Sequence, residues 1–177
     1  MDKKTIWDLG RPSVDQYRSR PKLPLVLVAD NIRSLNNIGS LFRTSDAFLV
    51  ERIMLCGISA CPPSPEIHKT ALGAEDSVAW EHFDRTADAI ARLHADGYTV
   101  CCLEQVKGSV GLDTFRPDPE GRYAIVVGHE VDGVSQEAVD ASDLCIEIPQ
   151  YGTKHSLNVS VSAALALWHF FTALHTS

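Results

Sequence analysis

Short apolar runs recur along the chain, and segments of helical or loop character separate them. The runs predict six strands: PLVLVAD (24–30), ERIMLCG (51–57), SVAWEHF (77–83), YTVCCLE (98–104), YAIVVG (123–128) and LCIEIP (144–149). Runs with almost no polar interruption, such as residues 24–30 and 123–128, are typical of strands that a sheet buries on both faces.

Between the strands, apolar residues recur three or four positions apart, which predicts helices. These helices cover residues 36–48, 86–95, 135–141 and 157–173, with Ser135 as the N-cap of the third. The proline-rich CPPSP (61–65) and the polar stretch 107–121 predict loops. The alternation of strands and helices predicts an α/β fold with a mainly parallel sheet.

One stretch fits neither pattern well. In HSLNVSVSA (155–163), Ser156, Asn158, Ser160 and Ser162 alternate with apolar residues as in a strand, yet a helix-like apolar segment follows without a turn. Two interpretations are open at this point. The stretch is either a poorly patterned start of a buried helix, or a site where backbone groups and short hydrogen-bonding side chains approach a ligand.

The composition narrows the class of protein. A chain of 177 residues with 45% hydrophobic content is expected to form one soluble domain, residues 24–177, after an N-terminal arm, residues 1–23. Its apolar runs are far shorter than the roughly 20 residues that cross a bilayer, and its first residues lack the apolar core of a signal peptide. Five cysteines without paired or ligand spacing predict free thiols in a cytoplasmic protein that has no metal site.

Charge is distributed unevenly along the chain. The net charge of −7 argues against a general nucleic-acid binder. Residues 1–22, however, carry six basic and three acidic side chains, so the acidic excess lies entirely in the rest of the chain. This basic arm either grips phosphates or is a solvated tail.

Ligands of open α/β sheets bind outside the carboxyl ends of the strands, and several of these ends carry unusual residues. After the first predicted strand, Asn36, Asn37 and Gly39 open a helix, and Arg43 follows about one turn later. Helix amides and a guanidinium together suit an anion. An asparagine cap and a surface arginine explain the same residues without a ligand.

Three further strand ends are candidates. In GHEVDG (128–133), two glycines permit a close backbone approach, and Glu130 is placed to hold a polar ligand or to orient a neighbouring group. The spacing does not match the dinucleotide fingerprint, and we expect His129 to be structural. The other two ends are IPQYGTKHSLN (148–158) and, more weakly, LEQVKG (103–108).

Three sets of residues together resemble the motifs of a known family. N-x-G-x-x-x-R-T (37–44), G-x-E-x-x-G (128–133) and I-P followed by S-L-N-V-S-V (148–149 and 156–161) are similar to the three motifs of the SpoU/TrmH family. That family contains RNA 2′-O-ribose methyltransferases and belongs to the SPOUT superfamily. The similarity runs from about residue 24 to residue 172, and Ser40 stands where the family often has alanine, another small residue.

The resemblance implies a Rossmann-like, mainly parallel sheet with a C-terminal deep trefoil knot, the end of which is HSLNVSVSA. It implies S-adenosylmethionine as cofactor and a homodimer in which each active site is completed at the interface. The active-site residues that it implies are Asn37, Arg43, Glu130, Ser156 and Asn158. The cofactor-binding residues that it implies are Leu103, Glu104, Gln105, Gly108, Gly128, His129, Glu130, Gly133, Ile148, Gln150, Ser156 and Leu157.

From the resemblance we expect methylation of a ribose 2′-hydroxyl in RNA, with tRNA as the first candidate and ribosomal RNA as the alternative. A guanidinium stays protonated in proteins, so we expect Arg43 to polarise the hydroxyl or to stabilise the forming alkoxide. Two rival interpretations are a non-catalytic RNA-binding protein on the same fold and a flavodoxin-like nucleotide-binding protein.

The basic arm supplies a first test of RNA binding. Because phosphate contacts depend on basic side chains, removing residues 1–22 is expected to weaken RNA binding and to leave cofactor binding unchanged. RNA affinity measured with and without the arm at matched salt checks this, and equal affinities would rule the role out.

Overall fold

The structure, a computed structural model, describes residues 1–5 and 7–175, and of Trp7 only the backbone. In this part of the chain the strands are β1 Leu23–Asp30, β2 Val50–Cys56, β3 Ala79–Phe83, β4 Thr99–Leu103, β5 Val110–Gly111, β6 Tyr123–Val127 and β7 Leu144–Glu147. The helices are α1 Val14–Ser19, α2 Leu35–Ala47, α3 Pro65–Ala71, α4 Ala74–Ser77, α5 Thr86–Ala95, α6 Gln136–Ala141 and α7 Val159–Leu174, after a 3-10 turn at Trp7–Leu9.

The strands form one sheet in the order β3-β2-β1-β6-β4-β7-β5, and every neighbouring pair is parallel. β1 lies beside β6, with Leu25 in register with Tyr123, although the two residues are far apart in the sequence. The mainly parallel α/β sheet predicted from the sequence is confirmed. Because parallel strands end at one edge, the loops after β1, β4, β6 and β7 are brought together there.

Helices cover both faces of the sheet. On one face, Leu25, Leu27 and Ala29 of β1 belong to a core that includes residues of α2, α3 and α7. On the other face, Val26 and Val28 belong to a core that includes residues of α5 and α6. β1 is therefore buried on both sides, which explains why its sequence is apolar at consecutive positions.

Part of the N-terminal arm is folded against the body. Ser13 and Gln16 form a capping box at the start of α1, and Tyr17 in this helix is only 5% exposed. Arg18 Nε donates a hydrogen bond of 2.9 Å to the backbone carbonyl oxygen of Asp76, in α4. Since α1 leads into the start of β1, the arm lies at the amino-terminal edge of the sheet.

This docking makes the deletion of residues 1–22 a mixed test, since it would also remove the buried Tyr17. Lys3, Lys4, Arg11 and Arg20 have exposed side chains. Replacing these four with glutamine removes charge without removing packing, and is the cleaner form of the arm test.

Three short elements differ from the sequence-based prediction. α3 begins at Pro65 with Ser64 as its N-cap; proline suits the first helical turn, although CPPSP predicted only a loop. α4 ends at Ser77, so the strand predicted over 77–83 begins at Ala79. Within the loop predicted over 107–121, Val110 and Gly111 pair with β7 as β5.

Gly39, in the first of the three motifs, is needed for close helix packing. A Cβ at this position would lie 2.1 Å from Thr70 Oγ1 and 2.3 Å from the carbonyl oxygen of Ile67, both in α3. Thr70 Oγ1 also donates a hydrogen bond of 2.9 Å to the carbonyl oxygen of Asn36. α2 and α3 therefore approach so closely that only glycine fits between them.

Cys56, Cys101 and Cys102 are fully buried in the core, as their strand positions predict. Burial raises the pKa of the Cys101 thiol to about 12, which keeps it protonated at neutral pH.

Among the described helices, none is long and apolar enough to cross a membrane.

Candidate active site

A cleft opens at the carboxyl edge of the sheet, beyond the ends of β4, β6 and β7. Its volume is about 490 Å³, which is within the range of small-molecule sites. The lining is drawn from residues 103–105 after β4, 127–133 after β6, and 146–150 and 155–162 around the loop that joins β7 to α7.

Residues 128–133 form a tight hairpin on one side of this cleft. His129 and Gly133 exchange backbone hydrogen bonds of 2.9 and 3.0 Å, and Glu104 Oε2 accepts one of 2.8 Å from the Val134 amide. A Cβ on Gly128 would lie 2.2 Å from the amide nitrogen of Val134, and one on Gly133 would lie 2.2 Å from Glu104 Oε2. Gly128 therefore allows the close backbone approach that the sequence predicts, and Gly133, at a φ of +71°, leaves room for the Glu104 carboxylate.

His129 supports the hairpin from within. Its Nδ1 lies 3.2 Å from the amide nitrogens of Val131 and of Asp132, and accepts from both. These bonds require a neutral ring with its proton on Nε2. The carboxylate of Asp132 lies 3.1 Å from the same nitrogen, a distance that would suit a protonated ring instead. The two amide bonds agree with the structural role expected of His129.

Glu130 extends from the hairpin to the start of α2. Its carboxylate accepts hydrogen bonds from the backbone amides of Arg33 (3.2 Å) and Ser34 (3.0 Å) and from Asn37 Nδ2 (3.0 Å). The backbone amide of Asn37 donates a hydrogen bond of 3.2 Å to Ser34 Oγ. The anion at this helix start is thus Glu130 itself. The sequence left open whether a ligand anion binds here; the carboxylate of Glu130 takes that place, and Arg43 has no part in it.

A second link joins α2 to α7. Asn158 Nδ2 donates a hydrogen bond of 3.2 Å to Asn37 Oδ1, so Glu130, Asn37 and Asn158 form a continuous polar chain. Asn158 Oδ1 also accepts from the Ser160 amide at 2.9 Å and caps α7. Residues 155–158 are an exposed loop and the helix begins at Val159, two residues later than predicted. The alternating pattern in this stretch is therefore not a strand.

The hydrogen bonds keep Glu130 ionised. Burial raises the pKa of this carboxyl, but the bonds from Asn37, Ser34 and Arg33 outweigh burial and hold the pKa below its usual value. A carboxyl whose pKa is lowered by folding stabilises the folded state above its unfolded pKa. That contribution is lost as the pH falls through the folded pKa. Glu130 is therefore a weak base and a charged clamp at neutral pH.

Replacing Glu130 with glutamine is expected to lower the free energy of unfolding by about 1–2 kcal/mol near neutral pH, because the new amide group faces the Arg33 N–H. This loss is expected to shrink in acid, where the wild-type carboxyl becomes protonated. Urea unfolding of both proteins from neutral to acidic pH measures the difference. Glu120→Gln, at an exposed position, is the control, and a difference that stays constant with pH would argue against the clamp.

The cleft carries negative charge. The carboxylate residues in its lining are Glu104, Glu130, Asp132 and Glu147. No lysine or arginine from the described parts of the chain joins them in the lining. Such a surface favours a cationic ligand and disfavours a phosphate. The described residues contain no group of three or more side chains that could hold a metal ion.

Most of the residues expected to bind the cofactor lie at this cleft. They are Leu103, Glu104, Gln105, Gly128, His129, Glu130, Gly133, Ile148, Gln150, Ser156 and Leu157. Gly108 is the exception, because it lies outside the lining in the loop that leads to β5, with a φ of +88°. Of the expected active-site residues, Glu130, Ser156 and Asn158 line the cleft, and Asn37 lies one hydrogen bond behind them.

Arg43 lies apart from the cleft of its own chain. It is exposed and does not contribute to the lining. At the helical rise and turn per residue, it lies about 9 Å further along α2 than Asn37 and on another side of the helix. α2 and α7 run side by side, since Asn37 meets Asn158 at their starts and the ring of Phe48 lies 5.3 Å from that of Phe171 near their ends.

The sequence did not single out every lining residue. Val127, Ile146 and Val159 form apolar parts of the wall, and their sequence signal is the same as that of any core residue. Asp132 and Glu147 could have been found, because Asp132 is an acidic residue in the loop after one predicted strand and Glu147 is an acidic residue near the carboxyl end of another.

The chain matches the SpoU rRNA Methylase family over residues 24–168. The tRNA (guanosine(18)-2'-O)-methyltransferase TARBP1 of Mus musculus is 30% identical over 148 residues, which are 82% of this chain and 9% of that protein. The chain spans 63% of the length of several other curated relatives that it matches.

Solved structures share the fold. A TrmH/SpoU tRNA modifying enzyme from A. aeolicus aligns with a TM-score of 0.79 and 27% identity, over 92% of this chain and 82% of that chain. An AdoMet-bound rRNA methyltransferase from Sinorhizobium meliloti aligns with a TM-score of 0.76 and 25% identity, over 88% of this chain and 58% of that chain. With its three motifs, its parallel sheet and a family match over most of its length, this chain belongs to the SpoU rRNA methylase family.

Proposed function

We propose that this protein transfers a methyl group from S-adenosylmethionine to a ribose 2′-hydroxyl of RNA. The observation that carries the proposal is the acid-lined cleft at the strand ends, bordered by the chain of Glu130, Asn37 and Asn158. tRNA is the first candidate substrate, because the mouse relative and the A. aeolicus neighbour are named for tRNA. Ribosomal RNA is the alternative, because the S. meliloti neighbour is named for rRNA.

The cleft fits S-adenosylmethionine in charge and lining. The cofactor carries a sulfonium and an ammonium group against one carboxylate, so it is a net cation that the acidic lining would attract. Leu103, Ile148 and Leu157 would contact its adenine ring, and Glu104 would face its polar groups. When bound, it supplies a methyl group on a positively charged sulfur that leaves as a neutral thioether.

The same charges argue against the flavodoxin-like interpretation. A nucleotide phosphate in this cleft would meet the four carboxylates of the lining. Phosphate sites of α/β proteins use free amides at a helix start, whereas here the carboxylate of Glu130 already takes amides at the start of α2.

We also propose that two copies of the chain pack together through α7. This helix exposes Val161, Leu165 and Trp168 at 48%, 44% and 52%, and their spacing places them on one face. A contiguous apolar stripe of this kind marks a protein contact. Because α2 runs beside α7, a copy seated on the stripe would lie next to the exposed Arg43.

In such a dimer, each cleft receives an arginine that its own chain does not supply. The partner's Arg43 donates hydrogen bonds to the ribose oxygen and stabilises the negative charge that develops there, so that the proton passes to water. Ser156 and Asn158 orient the ribose at the cleft, and Glu130 holds the polar chain in place through Asn37. The rate gain comes from alignment and charge stabilisation.

Family membership also supports a C-terminal trefoil knot. Gln105 Nε2 donates a hydrogen bond of 3.1 Å to the carbonyl oxygen of His155. This bond ties the loop after β4 to the loop before α7, the two loops that such a knot would hold together.

The test of this function is methyl transfer from labelled S-adenosylmethionine to unmodified tRNA and to ribosomal RNA in parallel reactions. After digestion to nucleosides, the label is expected in a 2′-O-methylnucleoside from one of the two RNA pools. Label on a base would contradict the ribose assignment. No label in either pool, with the cofactor bound, would contradict both proposed substrates.

Calorimetric binding separates the rival functions. We expect adenosylhomocysteine to bind, and flavin mononucleotide and ATP to show no binding. Preferential binding of either phosphate ligand would favour the flavodoxin-like interpretation. RNA binding without any adenosylhomocysteine binding would favour a non-catalytic RNA-binding protein.

A further inference from the structure

A large aromatic side chain is exposed to solvent next to the residues that line the cleft. Tyr151 is 96% exposed and follows Gln150, which lines the cleft. It begins a run of exposed positions, residues 151–158, whose other end also belongs to the lining. The aromatic ring is therefore held near the site by both ends of its loop, but it is not used in the protein's own packing.

The chain segment around Tyr151 differs in charge from the acidic lining of the cleft. The segment 148–177 contains no aspartate or glutamate, although the whole chain has a net charge of −7. Lys154, in the same loop, is exposed. Arg33 is exposed as well, and its backbone amide is fixed beside the cleft by Glu130. Two exposed basic residues and an exposed aromatic residue are thus neighbours, along the chain or through a backbone hydrogen bond, of residues that line the cleft.

This distribution matters for a polyanionic substrate. The carboxylates of the lining repel the phosphates of an RNA, so the RNA must be held by groups outside the lining while one ribose reaches inward. Exposed aromatic rings bind unpaired bases by stacking, and guanidinium and ammonium groups bind the flanking phosphates. The border residues have the chemistry that this task requires.

We propose that Tyr151, Arg33 and Lys154 form a substrate-positioning rim for a single-stranded segment of RNA. Tyr151 stacks on a base next to or at the modified nucleotide, and Arg33 and Lys154 contact the phosphates on either side. This proposal rests on the proposed RNA methyltransferase function. It concerns residues outside the apolar stripe of α7, so it is separate from the contact between two copies.

The test compares RNA affinity among variants, using unmodified transcribed tRNA and ribosomal RNA as probes. Tyr151→Ala is expected to weaken binding on the order of 10- to 100-fold, while Tyr151→Phe and Tyr151→Trp keep near wild-type affinity because stacking needs only the ring. Arg33→Gln and Lys154→Gln are each expected to reduce the salt dependence of log affinity by about one unit, and Tyr151→Ala to leave it unchanged.

Two controls make the outcomes distinct. Arg92→Gln removes one positive charge from α5, where Arg92 forms a surface ion pair with Asp96, and is expected to leave RNA affinity unchanged. Adenosylhomocysteine affinity and sedimentation are measured for every variant and are expected to match wild type. Equal RNA affinity of Tyr151→Ala and the wild-type protein would contradict the proposal that Tyr151 belongs to a substrate-positioning rim.

Other outcomes would assign Tyr151 a different role or contradict the proposed function. If Tyr151→Ala shifted sedimentation towards the monomer, Tyr151 would be a contact between copies and the rim would be overturned. If it weakened adenosylhomocysteine binding, Tyr151 would cover the cofactor and the rim would again be overturned. If the wild-type protein bound and methylated no RNA, the proposed function itself would fail, whatever the variants showed.

Discussion

Replacing Arg43 with alanine is expected to reduce methyl transfer about 100- to 1,000-fold, the loss seen when one donor to a developing oxyanion is removed. Arg43 is exposed and outside its own cleft, so the free energy of unfolding and the affinity for adenosylhomocysteine are expected to stay at wild-type values. Single-turnover kinetics with a responsive RNA measures the effect on chemistry. Arg43→Lys keeps the charge but loses the paired donors, and near-normal turnover of this variant would contradict a two-point contact.

The position of Arg43 also predicts from which copy it acts. A protein with Arg43→Ala and a protein with Asn158→Ala are each expected to be inactive alone. If Arg43 serves the partner's cleft, a mixed dimer contains one intact site, and random exchange restores roughly a quarter of wild-type activity. If Arg43 serves its own cleft, every site in the mixture carries one defect and activity stays absent. Mixing the two variants after exchange of subunits decides between these outcomes.

The second large effect is expected at Asp30, the last residue of β1, which is 1% exposed. One of its oxygens accepts hydrogen bonds from Thr86 Oγ1 at 2.5 Å and from Asn31 Nδ2 at 2.8 Å. The other accepts from the Ser135 amide at 2.7 Å. One carboxylate therefore joins the end of β1 to the starts of α5 and α6.

Asp30→Asn is expected to lower the free energy of unfolding by about 2–4 kcal/mol, because an amide supplies one acceptor oxygen and its NH2 group leaves a buried donor without a partner. In a protein of this size the thermal midpoint would fall by roughly 4–16 °C. Urea and thermal unfolding measure both quantities. Asp84→Asn, whose side chain is 99% exposed, is the matched control, and equal stability of the two variants would show that the Asp30 bonds carry no net stabilisation.

Elements of the fold could be predicted from the sequence where a local pattern of apolar residues marks them. The runs 24–30 and 123–128 are apolar at consecutive positions because β1 and β6 are covered by helices on both faces. α3 could not be predicted, because Pro65 at a helix start resembles proline in a loop. β5 could not be predicted, because the pair Val110–Gly111 is too short to show a period. The order of the strands depends on contacts between distant segments, which no local pattern contains.

The sequence predicted which residues form the site, but it did not predict how they are arranged in space. The three motifs identified most of the lining, including Glu130 and Asn158. The sequence left open either a ligand anion or an asparagine cap at the start of α2, whereas the carboxylate of Glu130 and the cap Ser34 take those places. Gly39 looked like part of the same site, but its closest neighbours are Thr70 Oγ1 and the carbonyl oxygen of Ile67, both in α3. In each case a residue from a remote part of the chain decides the role, and spacing along the sequence cannot show it.

During synthesis on a ribosome, β1, β2 and β3 emerge long before β6, the other neighbour of β1. Until residues 123–127 follow, the nascent chain holds β1 with one row of backbone groups unpaired and apolar side chains on both faces. Pairing between such distant segments is slow to form, and an open apolar edge attracts other unfinished chains. We therefore expect the yield of soluble protein to fall when translation of β6 after β1 is delayed.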